Sequence, residues 1–231
     1  MSTPIHSDPG ASKPRARVAL SRDAIVAAAV SLVDESGPDA LTMRAVADRL
    51  GCGVMSLYRH VADRDELLDL VLEAMAGDVS LPHLEGDWRV DLSSIARAIR
   101  GQLLRRPHLT VLLTSRSGRG RAELPGLELT LGVLRSAGFT PGEAVLANHA
   151  LGNYVAGAAL WEAVGLAGAT GEERARRRAA ALDAVARVPA EAFPNLHWVG
   201  GALFEGSLDD RFEFGLARLL DGLEALLARD R

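Results

Sequence analysis

Hydrophobic side chains recur at intervals of three and four residues along most of the chain, which is the period of an α-helix. In the first 80 residues the helical runs are short, and residues that favour helix ends separate them. Ser21 and Thr42 are typical N-cap residues, and Gly37 and Gly51 are typical of helix C-termini. The predicted helices run from Ser21 to Gly37, from Thr42 to Gly51, over 54–60, and from Asp63 onward.

Beyond residue 80 the hydrophobic pattern keeps the helical period. Clusters of Gly, Pro and Asp interrupt it at 81–87, 115–125 and 190–206. The predicted helices lie near 91–105, 108–115, 125–137, 141–166, 171–187 and 208–229. No run alternates with a period of two for long enough to propose a sheet, so the predicted fold is all-α.

The composition fits a globular protein, since 48% of the 231 residues are hydrophobic and 24% are charged. The single cysteine, Cys52, excludes an intrachain disulfide framework. The most apolar stretch, 145–166, is interrupted by His149, Asn153 and Glu162, so we expect no membrane-spanning segment. The N-terminus lacks the apolar run of a secretory signal, and we expect a cytoplasmic protein.

The pattern predicts three parts: a flexible basic arm at 1–16, a small helical domain at 17–63 and a larger helical domain at 64–231. The arm is rich in Pro, Ser and Gly. It either keeps the protein soluble or touches DNA, and both interpretations stay open. The net charge of −4 argues against a protein that coats nucleic acid without specificity.

The segment 42–61 has the plan of a helix-turn-helix, in which two short helices flank a glycine-bearing turn. In such motifs the second helix, here 54–60, enters the major groove of DNA. Hydroxyl and guanidinium groups suit phosphate oxygens, and apolar side chains suit thymine methyl groups. The candidate DNA-binding residues are Thr42, Arg44, Val54, Met55, Ser56, Tyr58, Arg59, His60 and Arg64.

A hairpin of two short helices also occurs as plain structure, but two features of the third helix favour DNA binding. Its outer face is too polar to be packed inside the protein. The helix is also too short to be stable alone, so its neighbours must hold it. Within this surface, Thr42, Arg44 and Arg64 are the predicted anchors on the DNA backbone.

Residues 20–75 resemble the TetR family of bacterial repressors. The resemblance rests on Ala-Leu-Thr-Met-Arg-Ala-Val-Ala at 40–47, Leu-Tyr-Arg-His-Val at 57–61 and Asp-Glu-Leu-Leu at 65–68. It implies a homodimer with two DNA-binding heads, a palindromic double-stranded operator, and a helical body that binds a small-molecule effector. The implied function is a repressor that the effector releases from DNA, and an effector-independent regulator is the alternative.

The C-terminal half is similar to tetracycline repressors at Phe-Glu-Phe-Gly-Leu, 212–216, and at Leu-Leu-Asp-Gly-Leu-Glu, 219–224. This similarity implies that the helices at 141–166 and 208–229 form a four-helix dimer interface. A buried core accounts for part of the apolar stripe of the last helix. Phe214 adds a further apolar face, which suggests a partner helix.

Polar residues on the long helix are candidates for contacts with an effector. His149 and Asn153 lie one turn apart among Ala, Leu and Val, where they suit the orientation of a small molecule in an apolar cavity. Each also fits a satisfied polar group of the core or the interface. By resemblance, Arg116, Thr130, Asn153 and Trp161 match positions at which tetracycline repressors touch their ligand. The predicted ligand-binding set is Arg116, Thr130, His149, Asn153 and Trp161.

The similarity to tetracycline repressors breaks down where they bind metal. The position of the histidine that holds the drug-bound magnesium is Leu112 here, and that of the supporting acidic residue is Trp161. Leucine cannot coordinate a metal. Positions of ring contacts are Ser80, Ile95 and Ile99. The sequence therefore disfavours a magnesium–tetracycline effector and favours a larger or more apolar compound.

Motifs of catalysis are missing from the sequence. The loop at 117–121 lacks the Gly-Lys-Ser/Thr ending of a phosphate-binding loop, and there is no nucleophile elbow. His83, His108 and His197 do not have metal-ligand spacing. We therefore expect no enzymatic activity, no cofactor and no metal site.

Overall fold

The computed structural model describes residues 20–77, 81–108, 112, 124–166 and 171–229. These residues form helices and connecting turns without a strand, which confirms the all-α prediction. The chain divides into two compact units: Met1–Leu68, called the head below, and Asp69–Arg231, called the body. The predicted arm at 1–16 lies outside the described residues.

Side-chain caps set the helix boundaries of the head. Ser21 Oγ accepts a hydrogen bond from the backbone N–H of Ala24 at 3.1 Å, and Thr42 Oγ1 accepts one from Ala45 at 3.0 Å. The elements of the head are α1 (Arg22–Ser36), a 3₁₀ helix (Pro38–Ala40), α2 (Met43–Leu50) and α3 (Val54–Leu57). The next helix, α4 (Arg64–Gly77), begins in the head and ends in the body.

Each helix of the head contributes apolar side chains to its core, because the inward positions recur with the helical period. The buried side chains include Ile25, Ala29, Val33, Met43, Val46, Ala47, Leu57 and Val61. Leu32 and Leu50, which continue the same helical spacing, are only half-buried.

The third helix is shorter than predicted. It ends at Leu57, and the residues at 58–60 form a turn instead of a further helical turn. The carbonyl of Leu57 accepts hydrogen bonds from both His60 N, at 2.8 Å, and Val61 N, at 3.0 Å. These contacts tighten the chain after Leu57 and bring Val61 back into the core, where it is buried.

In the body, one long helix packs against three others. The described helices are α5 (Trp88–Arg105), α6 (Leu124–Ala137), α7 (Pro141–Leu166), α8 (Gly171–Ala186), α9 (Pro194–Val199) and α10 (Leu208–Leu227). Of these, α7 packs on α5, α6 and α10. The core between them includes Leu92, Ile95, Leu134, Leu151, Val155, Phe212 and Leu216. No helix in the described ranges is both long and apolar enough to cross a membrane.

The segment at 190–206 was predicted to be a break in helical structure, but it contains α9 and a 3₁₀ helix (Gly200–Phe204). Pro194 starts α9 because its fixed φ suits the first helical position. The segment packs on α8, yet none of the side chains described between 171 and 207 is buried. The predicted helix at 108–115 falls mostly outside the described residues.

Candidate DNA-binding and effector-binding surfaces

The turn between α2 and α3 depends on a left-handed glycine. Gly51 has φ +65° and ψ +34°, a conformation that costs a residue with a Cβ about 1–2 kcal/mol. Its N–H and that of Cys52 donate to carbonyls in the last turn of α2, those of Asp48 and Ala47. The chain therefore reverses within three residues and starts α3 at Val54.

The helix α3 and the turn after it present their side chains outward around a single buried residue. Leu57 is fully buried and holds α3 onto the core of the head. Met55 is 77% exposed and Tyr58 is 45% exposed. Val54, Ser56 and His60 are half-buried, and Arg59 is exposed. All six predicted contact residues at 54–60 are thus at least partly accessible, and we call them together the reading surface.

The arginines of the head differ in whether a carboxylate pairs with them. Arg49 forms an ion pair with Glu35, and Arg22 forms one with Glu66 at 2.5 Å. Arg44 and Arg59 are exposed, and within the described part of the chain neither has an ion-pair or hydrogen-bond partner. Their charge is therefore available to an anion such as a DNA phosphate.

Two of the predicted backbone anchors also have roles within the head. Thr42 Oγ1 caps α2 by accepting a hydrogen bond, so its own hydroxyl hydrogen stays available to donate to another group. Arg64 donates from Nε to the carbonyl of Leu41 at 2.7 Å and from Nη2 to that of Pro38 at 3.1 Å. Arg64 thereby fixes the start of α4 against the 3₁₀ helix of the head.

The predicted ligand-binding residues that the structure describes differ in their burial. Thr130 is buried, and its Oγ1 donates to the carbonyl of Gly126 in its own helix at 2.9 Å. His149, Asn153 and Trp161 are exposed on α7, and Trp161 is exposed by 81%. Arg116 lies outside the described residues.

Three of the positions at which the sequence is expected to depart from tetracycline repressors carry hydrocarbon side chains. Leu112 and Ile95 are buried, and Ile99 is half-buried. Ser80 lies outside the described residues. Among the described residues no group of three or more His, Cys, Asp or Glu side chains is placed to hold a metal ion. The side chain of Leu112 in particular offers no atom that could coordinate magnesium.

A cavity of about 660 Å³ lies between α8, α9 and the 3₁₀ helix that follows. Its lining is mainly apolar and includes Leu182, Val185 and Leu196, and it contains none of the predicted ligand-binding residues. Its polar members are already engaged: His197 Nε2 lies 2.8 Å from the carbonyl of Val188, and Asp183 pairs with Arg187.

Sequence reasoning missed a row of arginines that joins α5 to α10. Arg89, Arg97 and Arg100, called the arginine ladder below, pair with carboxylates of α10 in reversed chain order, so the two helices run antiparallel. The partners on α10 are Asp221 and Glu224 for Arg89, Glu213 for Arg97, and Asp209 for Arg100.

The ladder also reaches α7. Arg100 donates from Nε and Nη2 to the two carboxylate oxygens of Glu162, each at 2.7 Å, and its guanidinium lies 4.5 Å from the centre of the Phe212 ring. Both charged side chains of this pair are largely buried. No local sequence signal marks such pairs, since Arg100 and Glu162 are 62 positions apart.

Several large apolar side chains are exposed on α7 and α10, two helices that pack on each other. Leu146 is 71% exposed, Phe214 is 66% exposed, and Val145 and Leu160 are also exposed. Single apolar residues at a protein surface are ordinary, whereas larger exposed apolar patches are typical of interfaces. We call these four residues the α7–α10 face.

Comparisons with known proteins agree with the architecture. Residues 25–71 match the bacterial regulatory proteins of the tetR family, and residues 81–227 match the tetracyclin repressor-like C-terminal domain. The transcriptional repressor DrrR1 of Streptomyces coeruleorubidus is 37% identical over 224 residues, which cover 92% of this chain and 80% of the relative. The class A tetracycline repressor from transposon 1721 of Escherichia coli is 34% identical, with 88% and 90% covered.

A solved structure extends the similarity to the whole fold. The TetR family protein ActR of Streptomyces coelicolor, in complex with actinorhodin, matches with a TM-score of 0.80 and 32% identity, over 91% of this chain and 99% of that one. Both halves of the present chain are matched, and its helix-turn-helix exposes a reading surface. The chain belongs to the TetR family of bacterial regulatory proteins and is a ligand-responsive, DNA-binding transcriptional repressor.

Proposed function

We propose that the reading surface enters the major groove of an operator while the free arginines beside it neutralise phosphates. The observation that carries this proposal is the combination of exposed Met55 and Tyr58 with Arg44 and Arg59, two cations without a partner among the described residues. Met55 supplies an apolar contact for base edges, and Tyr58 supplies a hydroxyl for a phosphate. Arg64 supports this surface from behind, because its guanidinium holds the start of α4.

The operator-binding form is a homodimer that associates through the α7–α10 face. Leu146 and Phe214 would otherwise leave large apolar surfaces in water. A two-fold dimer presents two identical heads, which suits a palindromic operator with half-sites one helical turn apart. Since operator DNA lies in the bacterial cytoplasm, we expect the protein to act there.

The effector is a compound larger or more apolar than a magnesium–tetracycline complex. The buried hydrocarbon side chains of Leu112 and Ile95 support this proposal, because the first cannot bind metal and the second cannot hydrogen-bond. The ligand set comprises Arg116, Thr130, His149, Asn153 and Trp161. Three of these are exposed on α7, so a second copy of the chain must cover α7 to enclose them.

Release from DNA is a shift between two forms of the dimer. The effector favours a form of the body in which α4 moves, and the spacing of the two heads then no longer matches the operator. A ligand shifts such an equilibrium only by the difference between its affinities for the two forms. Operator and effector therefore oppose each other's binding to the same extent.

Selection of bound sequences from a random duplex library tests the DNA-binding part of the proposal. The purified protein should select a palindrome, and it should bind this palindrome far more tightly than scrambled DNA of the same length. Selection without any sequence preference would contradict the proposal.

Actinorhodin, which is bound by the related ActR, is the first probe for the effector. We expect actinorhodin to raise the melting temperature and to release the selected palindrome, whereas tetracycline with magnesium should do neither. Strong stabilisation by tetracycline that depends on magnesium would contradict our assignment of the effector class. If a wide range of compounds failed to release DNA, the effector-independent alternative would be favoured.

A further inference from the structure

A buried glutamine joins the last turn of α4 to the middle of the body. Gln102 lies near the C-terminus of α5 and is only 4% exposed. Its Nε2 donates a hydrogen bond to the backbone carbonyl of Met75 at 2.9 Å. Burial of a polar side chain costs free energy unless the side chain is hydrogen-bonded, so the bond to Met75 offsets the burial of Gln102.

The acceptor lies on a buried, apolar part of α4. Met75 is close to the end of α4 as the structure describes it, Arg64–Gly77. The side chains of Val71, Leu72 and Met75 are all buried on this part of α4. Apolar packing alone permits small shifts of a helix along its axis, whereas a hydrogen bond fixes one backbone atom in place.

A second contact sets the orientation of the glutamine amide. Arg105 Nη2 donates to Gln102 Oε1 at 2.8 Å, which directs the amide nitrogen toward α4. Arg105 follows Gln102 by three positions, so both side chains lie on the same face of α5. The three groups form a chain of donors and acceptors from Arg105 through Gln102 to Met75.

On its other side α5 is held by the arginine ladder. Arg97 donates through Nε and Nη2 to the two carboxylate oxygens of Glu213, each at 2.7 Å. Arg89 reaches Asp221 at 2.6 Å and Glu224 at 2.8 Å. The helix that carries Gln102 is therefore tied to α10, which lies in the α7–α10 face.

We propose that Gln102 is a positioning residue that fixes the last turn of α4 to α5 and thereby presets the operator-binding form of the dimer. The inference rests on the proposed function, in which movement of α4 changes the spacing of the heads. Gln102 is not one of the residues proposed to touch DNA. We expect it to affect operator affinity only by limiting the movement of α4.

The test uses the full-length protein and the palindrome that the wild-type protein selects. Gln102→Met keeps the length of the side chain but removes both hydrogen bonds. Arg105→Met leaves Gln102 in place and removes the contact that orients it, and because Arg105 is exposed this variant should fold. Ser93→Ala is the matched control, since it removes a hydrogen bond at 2.7 Å from Ser93 Oγ to Arg89 within α5 itself.

We expect Gln102→Met to weaken operator binding about tenfold, with the dimer intact, because the buried hydrogen bond to Met75 is lost. The slope of log affinity against log salt should stay at the wild-type value, because the same phosphates are neutralised. Arg105→Met should weaken binding less, and Ser93→Ala should not change it. Hydrogen exchange of the backbone amides at 73–77 should be faster in Gln102→Met than in the wild type. In Ser93→Ala, which keeps both Gln102 and Arg105, the exchange rate should not change.

Three results would overturn the inference. The first is wild-type operator affinity in Gln102→Met. The second is a loss of affinity in Ser93→Ala equal to that in Gln102→Met, which would indicate general destabilisation of α5. The third is a lower salt slope in Gln102→Met, which would indicate lost phosphate contacts. Failure of the wild-type protein to select any palindrome would contradict the proposed function itself, together with this inference.

Discussion

At the scale of single residues, the function depends on which cations of the head stay free. Arg44 and Arg49 lie five positions apart around α2, yet only Arg49 is neutralised by a carboxylate. A paired surface arginine contributes little to binding an external anion, because its charge is already compensated. We therefore include Arg44, and not Arg49, in the proposed DNA-binding surface.

Substitution of these two arginines gives a matched comparison. We expect Arg44→Ala to weaken binding to the selected palindrome and to scrambled DNA alike, and to reduce the magnitude of the salt slope by about 1. Arg49→Ala should change neither quantity appreciably. Fluorescence anisotropy titrations at several salt concentrations measure both effects, and equal effects of the two substitutions would contradict the assignment.

Tyr58 provides a second comparison at the same scale. Its side chain is 45% exposed and contributes little to the core of the head, so Tyr58→Ala should fold and dimerise normally. Loss of its contact should nevertheless weaken operator binding. Leu57→Ala is the contrasting variant, since Leu57 is fully buried and its truncation should cost about 2–5 kcal/mol of stability. Melting curves and operator titrations separate the two outcomes. Normal operator binding by Tyr58→Ala would contradict the proposed contact between Tyr58 and DNA.

The sequence predicted these residue-level features well where the cause is local. The N-caps at Ser21 and Thr42 and the turn at Gly51 follow from residue type and neighbouring positions. The end of α3 was not predictable, because it depends on two amides that share the carbonyl of Leu57. The roles of Arg44 and Arg49 were not separable either, since the partner Glu35 lies on a different helix.

At the scale of elements, α7 and α10 cross at a point where only a glycine fits. A Cβ at Gly215 would lie 2.7 Å from Cζ and 2.8 Å from Cε2 of Tyr154. The tyrosine cannot easily move away, because its hydroxyl donates to the carbonyl of Phe212 at 2.7 Å and its ring stacks on that of Phe212. The close crossing of the two helices thus depends on the absence of one side chain.

Gly215→Ala should therefore destabilise the body by about 1–3 kcal/mol through overpacking. Gly132→Ala is the control, since Gly132 is exposed on α6 and a Cβ there would meet nothing within 4 Å. That substitution should raise stability by up to about 1 kcal/mol through helix propensity. Chemical denaturation measures both changes, and a neutral Gly215→Ala would contradict the described crossing.

The arginine ladder predicts how stability depends on acid. The hydrogen bond from Arg97 lowers the pKa of Glu213 below its ordinary value of 4.5, and the charges of Arg97 and Arg100 act in the same direction. A carboxyl whose pKa is lower in the folded chain stabilises the fold above its unfolded pKa. That stabilisation is lost as the pH falls through the folded pKa.

We therefore expect the free energy of unfolding to decrease below about pH 4.5, and to decrease less steeply in Glu213→Gln. Glu172→Gln is the control, because it removes an exposed carboxyl of α8 that has no ion-pair partner in the described ranges. Denaturant titrations from pH 7 to pH 3 measure the difference. Identical acid dependence of the wild type and Glu213→Gln would contradict the described pairing.

The elements themselves were largely predictable, but their pairings were not. Periodicity and caps predicted α7 at its observed bounds and α8 and α10 to within two residues at their C-termini. The contacts of the ladder join positions that are 116 apart for Arg97 and Glu213, and no periodicity relates such positions. The helix α9 was missed because it is only six residues long and lies among glycines and prolines.

At the scale of the whole molecule, the proposed dimer would cover the apolar side chains of the α7–α10 face, which are exposed to water in a single chain. The effector site could not be assembled from the sequence, because His149, Asn153 and Trp161 are exposed in one chain. In the proposed site a second copy of the chain encloses these side chains, and no pattern along one chain describes such a contact. Both proposed activities therefore rest on the proposed dimer.

Phe214→Glu tests the dimer directly. Phe214 is 66% exposed, so a glutamate there should leave the chain folded while it places charge in the α7–α10 face. We expect this variant to sediment as a monomer and to lose operator affinity by at least tenfold, since each half-site is then bound alone. Leu124→Glu, at a position 52% exposed on α6, should remain a dimer. A dimeric Phe214→Glu protein with wild-type affinity would place the interface elsewhere.

A hydroxyl-radical footprint on the selected palindrome shows how both heads lie on DNA. We expect two protected half-sites on one face of the duplex, about one helical turn apart, and loss of both in Phe214→Glu at the same protein concentration. Protection of a single site, or uniform protection without sequence preference, would contradict a dimer that reads an operator with two helix-turn-helix heads.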